Sequence, residues 1–297
     1  MPRIIRSVLL VLVCATLSSA QTASPPSSQS ADDGVVLVGA GDIANCDMLG
    51  GARATAALLD SIPGTVFTTG DHAYQTGSAK DFANCYEPTW GRHKKRTRPA
   101  IGNHDLVTDK GRAYFEYFGE NAGPPGLGYY SYDLGAWHIL SLNSAAPARK
   151  GSAQMKWLQE DLSAHKTDCL LAYWHISRFS SGGHGSDPIM GEVWRVLYEA
   201  GAEIVLSSHD HDYERFAPQD DRGKADPEHG IREFVVGTGG GGVYEFKKPA
   251  ANSEVRSNTT YGVLKLTLKP GSYDWEFIPM AGQKFRDSGS GTCSAAR

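Results

Sequence analysis

Short apolar runs alternate with helical segments along the first two thirds of the chain. The runs are rich in β-branched residues and have the length of buried strands, whereas the segments between them repeat apolar residues at helical spacing. Strands are predicted at residues 35–38, 65–69, 137–142, 169–174 and 204–206. Helices are predicted at residues 52–59, 153–162 and 192–200. This alternation is typical of α/β proteins.

The last third of the chain differs, because strands follow one another there without helices between them. They are predicted at residues 232–236, 262–268 and 272–278. An alternating part followed by strands predicts an α/β fold, of the α+β sandwich kind, in which two mixed β-sheets pack together and helices flank them. No repeat or second linker interrupts the chain. One domain is therefore predicted at residues 34–285, followed by a C-terminal tail at 286–297.

The first twenty residues have the pattern of an export signal. Arg3 and Arg6 precede an apolar run at residues 8–17, and Ser18 and Ala20 then supply the small residues of a cleavage site. The run is shorter than the ~20 residues of a membrane span, although an uncleaved anchor is a second interpretation. We predict a signal peptide at 1–20, a disordered Ser- and Pro-rich leader at 21–33, and a secreted or periplasmic protein without membrane contact after cleavage.

Composition and charge exclude several classes of protein. With 40% hydrophobic and 21% charged residues, the 297-residue chain lacks the bias of a disordered protein or a coiled coil. Its 29 basic and 33 acidic residues give a formal net charge of −4, which argues against a nucleic-acid partner. The 34 glycines predict many turns and loops, on which binding sites are often built.

Polar residues of the kinds that bind metals follow the predicted strands. They are Asp42, Asp71, Asn103 with His104, His175, and His209 with His211. Because ligands of α/β sheets bind outside the carboxyl ends of strands, these side chains are expected to converge on one site. His209 and His211 project to the same side of an extended segment. Gly41, Gly70 and Gly102 each precede a candidate ligand and are predicted to bend the strand end.

Each motif alone is explained as well by a turn or by a core histidine, but the ordered set resembles that of the metallophosphoesterases and, within these, the purple acid phosphatases. The blocks are GD, GDxxY, GNH, an isolated His and xHxH, in that order across residues 35–215. Tyr74, three residues after Asp71, is the most specific match, because most calcineurin-like phosphoesterases lack that tyrosine. One position departs from the pattern: Ser208 stands where the family usually has glycine.

The resemblance implies a four-layer metallophosphoesterase fold with two bound metal ions. Fe³⁺ would be bound by Asp42, Asp71, Tyr74 and His211. A divalent ion (Zn²⁺, Mn²⁺ or Fe²⁺) would be bound by Asp71, Asn103, His175 and His209, with Asp71 bridging the two metals. The ligand types agree with this division, since a phenolate and carboxylates suit a trivalent ion, and imidazoles with an amide oxygen suit a divalent one.

The resemblance also implies a metal-dependent phosphoric ester hydrolase of the acid phosphatase kind, whose substrate is a small-molecule phosphomonoester. A metal-bound hydroxide would attack phosphorus in line with the leaving group. His104 would contact the phosphoryl oxygens, and His184, in a Ser/Gly-rich loop predicted to be mobile, would protonate the leaving alkoxide. Asp105 would orient His104 or another imidazole. Two alternatives stay open: His104 as a hydrogen-bond partner of a ligand, and His184 as an ordinary loop residue.

Other functions stay open on the same residues. The scaffold also suits a phosphodiesterase or nucleotide hydrolase, and an inactive metal-binding homologue is the alternative from another class. Retention of the whole ligand set with His104 and His184 argues against an inactive protein. A serine hydrolase is disfavoured because the chain has no Gly-x-Ser-x-Gly motif.

Four cysteines follow the predicted signal peptide, which contains Cys14. They are Cys46, Cys85, Cys169 and Cys293. In an exported protein they predict two disulfides, for which three pairings exist. The favoured pairs are Cys46–Cys85, which follow candidate metal motifs, and Cys169–Cys293, which would tie the C-terminus to a buried strand. Buried free thiols are the alternative.

Some features carry weaker signals. The glycine segment 237–242 is interpreted as a turn, with close approach to the site as a minor option. The basic segment 91–99 is interpreted as a solvated helix face rather than as an anion attractor. Asn258 fits the N-glycosylation pattern. The histidines that match no motif are assigned to the surface or to packing: His72, His93, His138, His165 and His229.

Overall fold

A computed structural model describes Met1, residues 34–167 and residues 169–293. Apart from Met1, the predicted signal peptide and leader lie outside the described residues, as do residues 168 and 294–297. Within the described part of the chain, no helix is long and apolar enough to cross a bilayer.

Every helix and strand that the sequence predicts is present, with ends that differ by no more than two residues. The strands are β1 (Val35–Gly39), β2 (Ala44–Asn45), β3 (Thr65–Thr68), β4 (Ala73–Tyr74), β5 (Thr97–Pro99), β6 (Tyr130–Leu134), β7 (Trp137–Ser141), β8 (Leu170–Ile176), β9 (Ile204–Ser208), β10 (Tyr213–Phe216), β11 (Arg232–Val236), β12 (Ser253–Ser257), β13 (Gly262–Lys269), β14 (Ser272–Pro279) and β15 (Asp287–Thr292). The α-helices are α1 (Gly50–Ser61), α2 (Ala79–Asp81), α3 (Arg112–Phe118), α4 (Ala153–Ala164) and α5 (Gly191–Glu199).

The strands form two mixed sheets, as predicted. The first has the order β15-β14-β13-β1-β3-β5, in which β1, β3 and β5 are parallel. The second has the order β12-β10-β11-β9-β8-β7-β6, in which β7, β8, β9 and β11 are parallel. Strands β2 and β4 pair separately. In each sheet, the carboxyl ends of the parallel strands therefore share one edge.

Strand β8 shows how the second sheet is covered on both faces. Leu171 and Tyr173 belong to a core shared with the first sheet, whereas Leu170, Ala172 and Trp174 belong to a core shared with helices α4 and α5. Successive side chains of a strand point to opposite faces, so a strand that is apolar at every position is buried on both. Helix α1 adds its apolar face to the first core, which completes the four layers.

Strand β15 lies in the segment that the sequence analysis predicts as a tail, and this prediction is wrong as far as Thr292. Gly289 and Gly291 lie against the rings of Trp275 and Tyr273 in β14, where a Cβ atom would come within 2.3 Å and 2.4 Å of ring atoms. The strand packs by bringing bare backbone onto aromatic rings. It therefore lacks the alternation of apolar residues by which a strand is recognised in a sequence.

The basic segment stabilises the scaffold instead of facing solvent as a regular helix. Most of it forms a 3-10 helix (Trp90–Arg96), and strand β5 follows. Arg96 donates hydrogen bonds to the carbonyl oxygens of Leu59 (2.6 Å), Ile62 (3.0 Å) and Gly64 (2.8 Å). A cation at these carbonyls complements the C-terminal end of helix α1, where the Ile62 N–H also donates to the Leu59 carbonyl.

Two disulfides link the described cysteines in the favoured pairing. Cys46 and Cys85 have Cα atoms 5.1 Å apart, and Cys169 and Cys293 have Cα atoms 5.3 Å apart. The second bond ties the residue after β15 to the residue before β8, across a sequence separation of 124 residues.

Removal of the long-range disulfide is expected to destabilise the fold. A variant with Cys169→Ser and Cys293→Ser should lose roughly 2–5 kcal/mol of unfolding free energy, because the unfolded chain gains the freedom of a long open loop. Urea unfolding measures the loss, and wild type under reducing conditions, in which both disulfides open, should lose at least as much. An unchanged unfolding midpoint in both samples would contradict a structural role for the bond.

Candidate metal centre

The predicted ligands meet where the strand ends of both sheets lie together. Asp42, Asp71 and Asn103 follow β1, β3 and β5, while His175 lies near the end of β8, and His209 and His211 follow β9. Asp42 Oδ2 accepts a hydrogen bond from the His209 N–H (3.0 Å), which joins the two sheets directly. The expected convergence of these side chains is therefore present in the structure.

The first cluster centres on Tyr74. Its hydroxyl donates to Asp42 Oδ1 at 2.7 Å and lies 3.0 Å from His211 Nε2. His211 Nε2 lies 3.4 Å from the same Asp42 oxygen. A phenol, a carboxylate and an imidazole thus direct their polar atoms at one point.

The second cluster centres on His175. Its Nε2 lies 2.9 Å from Asn103 Oδ1, 3.3 Å from Asp71 Oδ2 and 3.1 Å from His209 Nδ1. Its other ring nitrogen, Nδ1, donates to the Thr69 carbonyl at 2.8 Å. Because a carbonyl only accepts, the hydrogen lies on Nδ1 and Nε2 is the nitrogen that faces the cluster.

The residues present fit two metal ions. Asp42, Asp71 and His175 each offer a ligand atom, and these atoms lie within 4.8 Å of one another. All three side chains are buried, although a buried carboxylate is costly unless it is paired or coordinates a metal. The first cluster combines a phenol and a carboxylate with one imidazole, whereas the second combines two imidazoles with an amide oxygen and a carboxylate. The phenol on one side and the two imidazoles on the other are the division expected for a trivalent and a divalent ion.

The titration of the ligands supports the same division. Burial, together with His175, lowers the pKa of His209 to about 3, so this imidazole offers a lone pair at neutral pH. Burial and Asp42 raise the pKa of Tyr74 well above its usual value. Tyr74 can therefore become a phenolate only beside a strongly charged cation, a requirement that a trivalent ion meets better than a divalent one.

The ion pair between His175 and Asp71 links metal binding to pH. Burial alone would lower the pKa of His175, but Asp71 raises it to about 9. A metal that binds His175 Nε2 has to displace a proton below that pH. Affinity at the second cluster is therefore expected to rise with pH until His175 has lost its proton.

The backbone bends at the ligands themselves and not only at the glycines before them. Asp42, Asp71 and His209 have φ angles of 57°, 52° and 74°, in the left-handed region. Aspartate enters this region more readily than most residues, but each such conformation costs energy that the surrounding contacts must offset. Gly70 shares the positive φ, at 99°, whereas the described φ angles of Gly41 and Gly102 are not positive. Of the three glycines, only Gly70 therefore uses the left-handed conformation that glycine favours.

Gly41 and Gly102 are required by close approach. A Cβ on Gly102 would lie 2.1 Å from Asp71 Oδ1, and a Cβ on Gly41 would lie 2.4 Å from Ser208 Oγ. Ser208, the departure from the family pattern, donates to the Thr69 carbonyl at 2.8 Å. Its hydroxyl thus adds a hydrogen bond between the two sheets.

His104 lies at the edge of the first cluster. Its backbone N–H donates to Asp71 Oδ1 at 2.8 Å, and its Nδ1 donates to the Gln75 carbonyl at 2.7 Å. The ring centroid lies 4.7 Å from that of Tyr74. These contacts fix the ring and leave Nε2 for a ligand.

Asp105 orients an imidazole, but that imidazole belongs to His72 and not to His104. Asp105 accepts hydrogen bonds from His72 Nδ1 (2.8 Å) and from the backbone N–H groups of Asp71 (3.0 Å) and Gly102 (2.9 Å). It therefore holds two of the ligand-bearing turns together. Sequence reasoning assigned His72 only to the surface or packing, and no motif marks its partnership with Asp105.

The loop that carries His184, which the sequence predicts to be mobile, is fastened by buried carboxylates. Asp210 accepts hydrogen bonds from Ser180 Oγ (2.5 Å), the His184 N–H (2.6 Å) and the Gly185 N–H (3.0 Å). The His184 ring stacks on that of His209 with centroids 4.1 Å apart, and its side chain is exposed. The loop therefore presents His184 at the mouth of the second cluster.

Sequence reasoning missed these anchoring carboxylates, although a signal exists. In the segment HDHDYE, acidic residues alternate with His209, His211 and Tyr213, and the carboxylates that anchor the loop are those of Asp210 and Glu214. In an extended segment such alternation puts the acids on the face opposite the histidines. That face is the one on which the His184 loop lies.

The glycine segment 237–242 approaches the site closely. The sequence analysis favours a simple turn there and gives close approach as the minor option. The Gly241 N–H donates to the Asp42 carbonyl at 2.7 Å, and a Cβ on Gly241 would lie 2.7 Å from the Tyr74 ring. Tyr244, just beyond the segment, stacks on His211 with ring centroids 4.0 Å apart. Sequence reasoning did not single out Tyr244, because no motif includes it.

Comparison with known proteins places this site in a family context. Residues 36–213, more than half of the chain, match the family described as calcineurin-like phosphoesterase. Purple acid phosphatase 18 of Arabidopsis thaliana is 30% identical over 183 residues, which cover 59% of this chain and 41% of that protein. The chain thus matches less than half the length of that curated relative.

Solved structures share the fold. Purple acid phosphatase PPD1 from yellow lupin (Lupinus luteus) superposes with a TM-score of 0.68 at 18% identity, covering 88% of this chain and 54% of that one. GAP50 of Plasmodium, described as an anchor in the inner membrane complex, superposes with a TM-score of 0.67 at 13% identity, covering 88% and 89%. Because the fold is shared with a protein described as an anchor, function has to be argued from the site.

Substitution of Gly102 tests the close packing of the centre. Gly102→Ala would place a methyl group against the Asp71 carboxylate, so we expect loss of most bound metal and destabilisation of roughly 1–3 kcal/mol. Elemental analysis and thermal unfolding measure the two effects. Gly50→Ala is the matched control, because a Cβ there meets no atom within 4 Å. Equal metal content in the two variants would contradict the geometry.

Proposed function

The chain belongs to the calcineurin-like phosphoesterase family, and we propose that it is an exported binuclear-metal phosphatase that hydrolyses phosphomonoesters. The observation that carries the proposal is the convergence of the predicted ligands into two adjoining clusters, with ligand atoms of Asp42, Asp71 and His175 within 4.8 Å of one another. The Tyr74 cluster points to a metal site more specifically than the second cluster does, because a buried phenol is an unusual companion of carboxylate and imidazole side chains unless it also binds the metal.

The proposed metals are Fe³⁺ at Asp42, Asp71, Tyr74 and His211, and Zn²⁺, Mn²⁺ or Fe²⁺ at Asp71, Asn103, His175 and His209. When bound, they supply a nucleophilic hydroxide near neutral pH and neutralise charge on the phosphoryl group. The protein fixes the ligands before any metal arrives, through the hydrogen bonds that Asp105 and Thr69 make behind them.

His104 and His184 lie beside different clusters, which suits different tasks. His104 packs on Tyr74, and its Nε2 is assigned to hydrogen bonding with the phosphoryl oxygens. His184 stacks on His209 at the exposed mouth of the second cluster, where its imidazole can protonate a departing alkoxide. Proton donation to a leaving group contributes roughly 10²–10⁴-fold to a rate.

Two rival functions share these residues. A phosphodiesterase or nucleotide hydrolase would use the same metals on a larger substrate, and an inactive homologue would bind metals without turnover. The placement of His184 at the exposed mouth favours turnover over an inactive homologue. Export is supported by the two disulfides, which persist in oxidising compartments, and by the signal peptide predicted outside the described residues.

Metal content and substrate preference test the proposed activity together. Purified wild type should contain two metals and hydrolyse an aryl phosphate faster than a bis-aryl phosphate. His211→Ala should lose one metal and at least about a hundredfold in kcat, because a ligand is lost. In iron-loaded protein, Tyr74→Phe should abolish a visible charge-transfer band that wild type shows. An active metal-free wild type, or faster diester hydrolysis, would refute the phosphomonoesterase.

The role of His184 predicts a dependence on the leaving group. His184→Ala should lower kcat for an alkyl phosphate by roughly 10²-fold or more, and much less for p-nitrophenyl phosphate, whose leaving group needs little protonation. Asp210→Ala should show the same pattern more weakly, because it releases the loop without removing the acid. Asp187→Asn is the matched control, because the Asp187 carboxylate accepts a hydrogen bond from the Ile189 N–H. Equal losses on both substrates would argue for a binding role of His184 instead.

A further inference from the structure

A second group of metal-ligating side chains lies away from the candidate metal centre, at the other end of the second sheet. His138, near the start of β7, and Asp161 and His165, at the end of α4, offer ligand atoms that all lie within 4.8 Å of one another. His138 pairs in register with Leu170, at the start of β8, whereas His175 lies near the end of that strand. The intervening stretch of strand spans roughly 17 Å, so the two groups are separate sites.

His138 has the surroundings of a metal-binding histidine. Its side chain is only 2% exposed, and its Nδ1 lies 2.7 Å from Asp133 Oδ1. Because an ionised carboxylate only accepts, the hydrogen of this bond lies on Nδ1. A carboxylate that holds one ring nitrogen and turns the other toward a ligand position is the arrangement that most metal-bound histidines use. That other nitrogen, Nε2, donates to Asp161 Oδ2 at 2.7 Å, and a metal would replace the hydrogen of this bond.

Asp161 and His165 lie one turn apart on the same face of helix α4. Ser131 Oγ donates to Asp161 Oδ1 at 2.7 Å, and the second carboxylate oxygen is the one near His138. The ring of His165 stacks on that of His138 with centroids 4.4 Å apart. His165 Nδ1 contacts the Asp161 carbonyl at 2.9 Å. Since its side chain is 45% exposed, the ring can turn in solvent and exchange that bond for a metal.

We propose that His138, Asp161 and His165 bind a divalent transition-metal ion, for which Zn²⁺ is the best match. Two imidazoles and one carboxylate are ligands that Zn²⁺ prefers, whereas Mg²⁺ and Ca²⁺ take oxygen ligands. The exposed side of His165 provides an entry path and room for a water as the fourth ligand. The site does not depend on the proposed phosphatase activity.

Metal at this position would link three elements of the fold. The ligand His138 lies in β7, and the ligands Asp161 and His165 lie at the end of α4. Ser131 and Asp133, which hold the ligands by hydrogen bonds, lie in β6. The bound ion would therefore fasten the β6–β7 hairpin to the helix that covers it. Its effect would be on stability, at the edge of the sheet opposite the candidate metal centre.

Zinc binding by the full chain tests the site, once the candidate metal centre has been loaded and excess metal removed. His165→Ala removes one ligand from an exposed position, and His229→Ala is the matched control, since His229 is also about half exposed. We expect wild type and His229→Ala to retain one more equivalent of Zn²⁺ than His165→Ala. In both proteins, Zn²⁺ at a hundredfold excess over Kd should raise the Tm by about 5–10 °C relative to the same protein without added Zn²⁺. His165→Ala should not show this rise. Phosphate ester hydrolysis should be equal in the three proteins.

Equal zinc content and equal thermal shifts in wild type and His165→Ala would overturn the proposal, and His138 would then be a core residue hydrogen-bonded between two carboxylates. His175→Ala, in the candidate metal centre, separates the two sites. The additional equivalent should persist in that variant. Its loss there, with retention in His165→Ala, would assign the zinc to the candidate metal centre and would equally overturn the proposal.

Discussion

Two buried carboxylates, those of Asp42 and Asp71, set the conditions that the surrounding structure has to meet. A carboxylate taken out of water costs several kcal/mol unless charges or hydrogen bonds replace the water. Asp42 accepts from the Tyr74 hydroxyl and from the backbone of His209, and Asp71 pairs with His175. These partners come from different strand ends. The two sheets therefore have to meet at this edge, and the site is organised before any ligand binds.

The two sheets approach each other closely at this edge, and this close approach explains the unusual backbone conformations found there. Asp42 and His209 adopt left-handed conformations that cost roughly 1–3 kcal/mol each, and the cross-sheet hydrogen bond between them helps to offset this cost. Gly102 is required because only a hydrogen fits beside the Asp71 carboxylate. The same closeness leaves little room for relaxation, so small changes of volume here act directly on ligand geometry.

Further buried carboxylates hold the loops that complete the site. Asp105 accepts hydrogen bonds from backbone N–H groups of two ligand-bearing turns. Asp210 accepts such bonds from the His184 loop, and Glu214 accepts one from the Ser181 N–H. A rigid loop holds a proton donor at a defined distance, which a mobile one does not. These anchors contact the turns that carry candidate ligands and the loop that carries His184. They belong to the site and to its proposed chemistry.

By itself, the sequence determined the strands with a clear apolar pattern, helices α1, α4 and α5 in their order, the mixed sheets and the chemical types of the ligands. These follow from local periodicity and from motif order, which each segment carries within itself. Only the tertiary structure decided that Asp105 holds His72, that Asp210 fastens the His184 loop, and that residues 237–242 lie against Asp42. Strand β15 likewise depends on the rings of β14. These contacts join residues far apart in the chain. The periodicity within a segment does not indicate which distant segment it will contact or where two sheets meet.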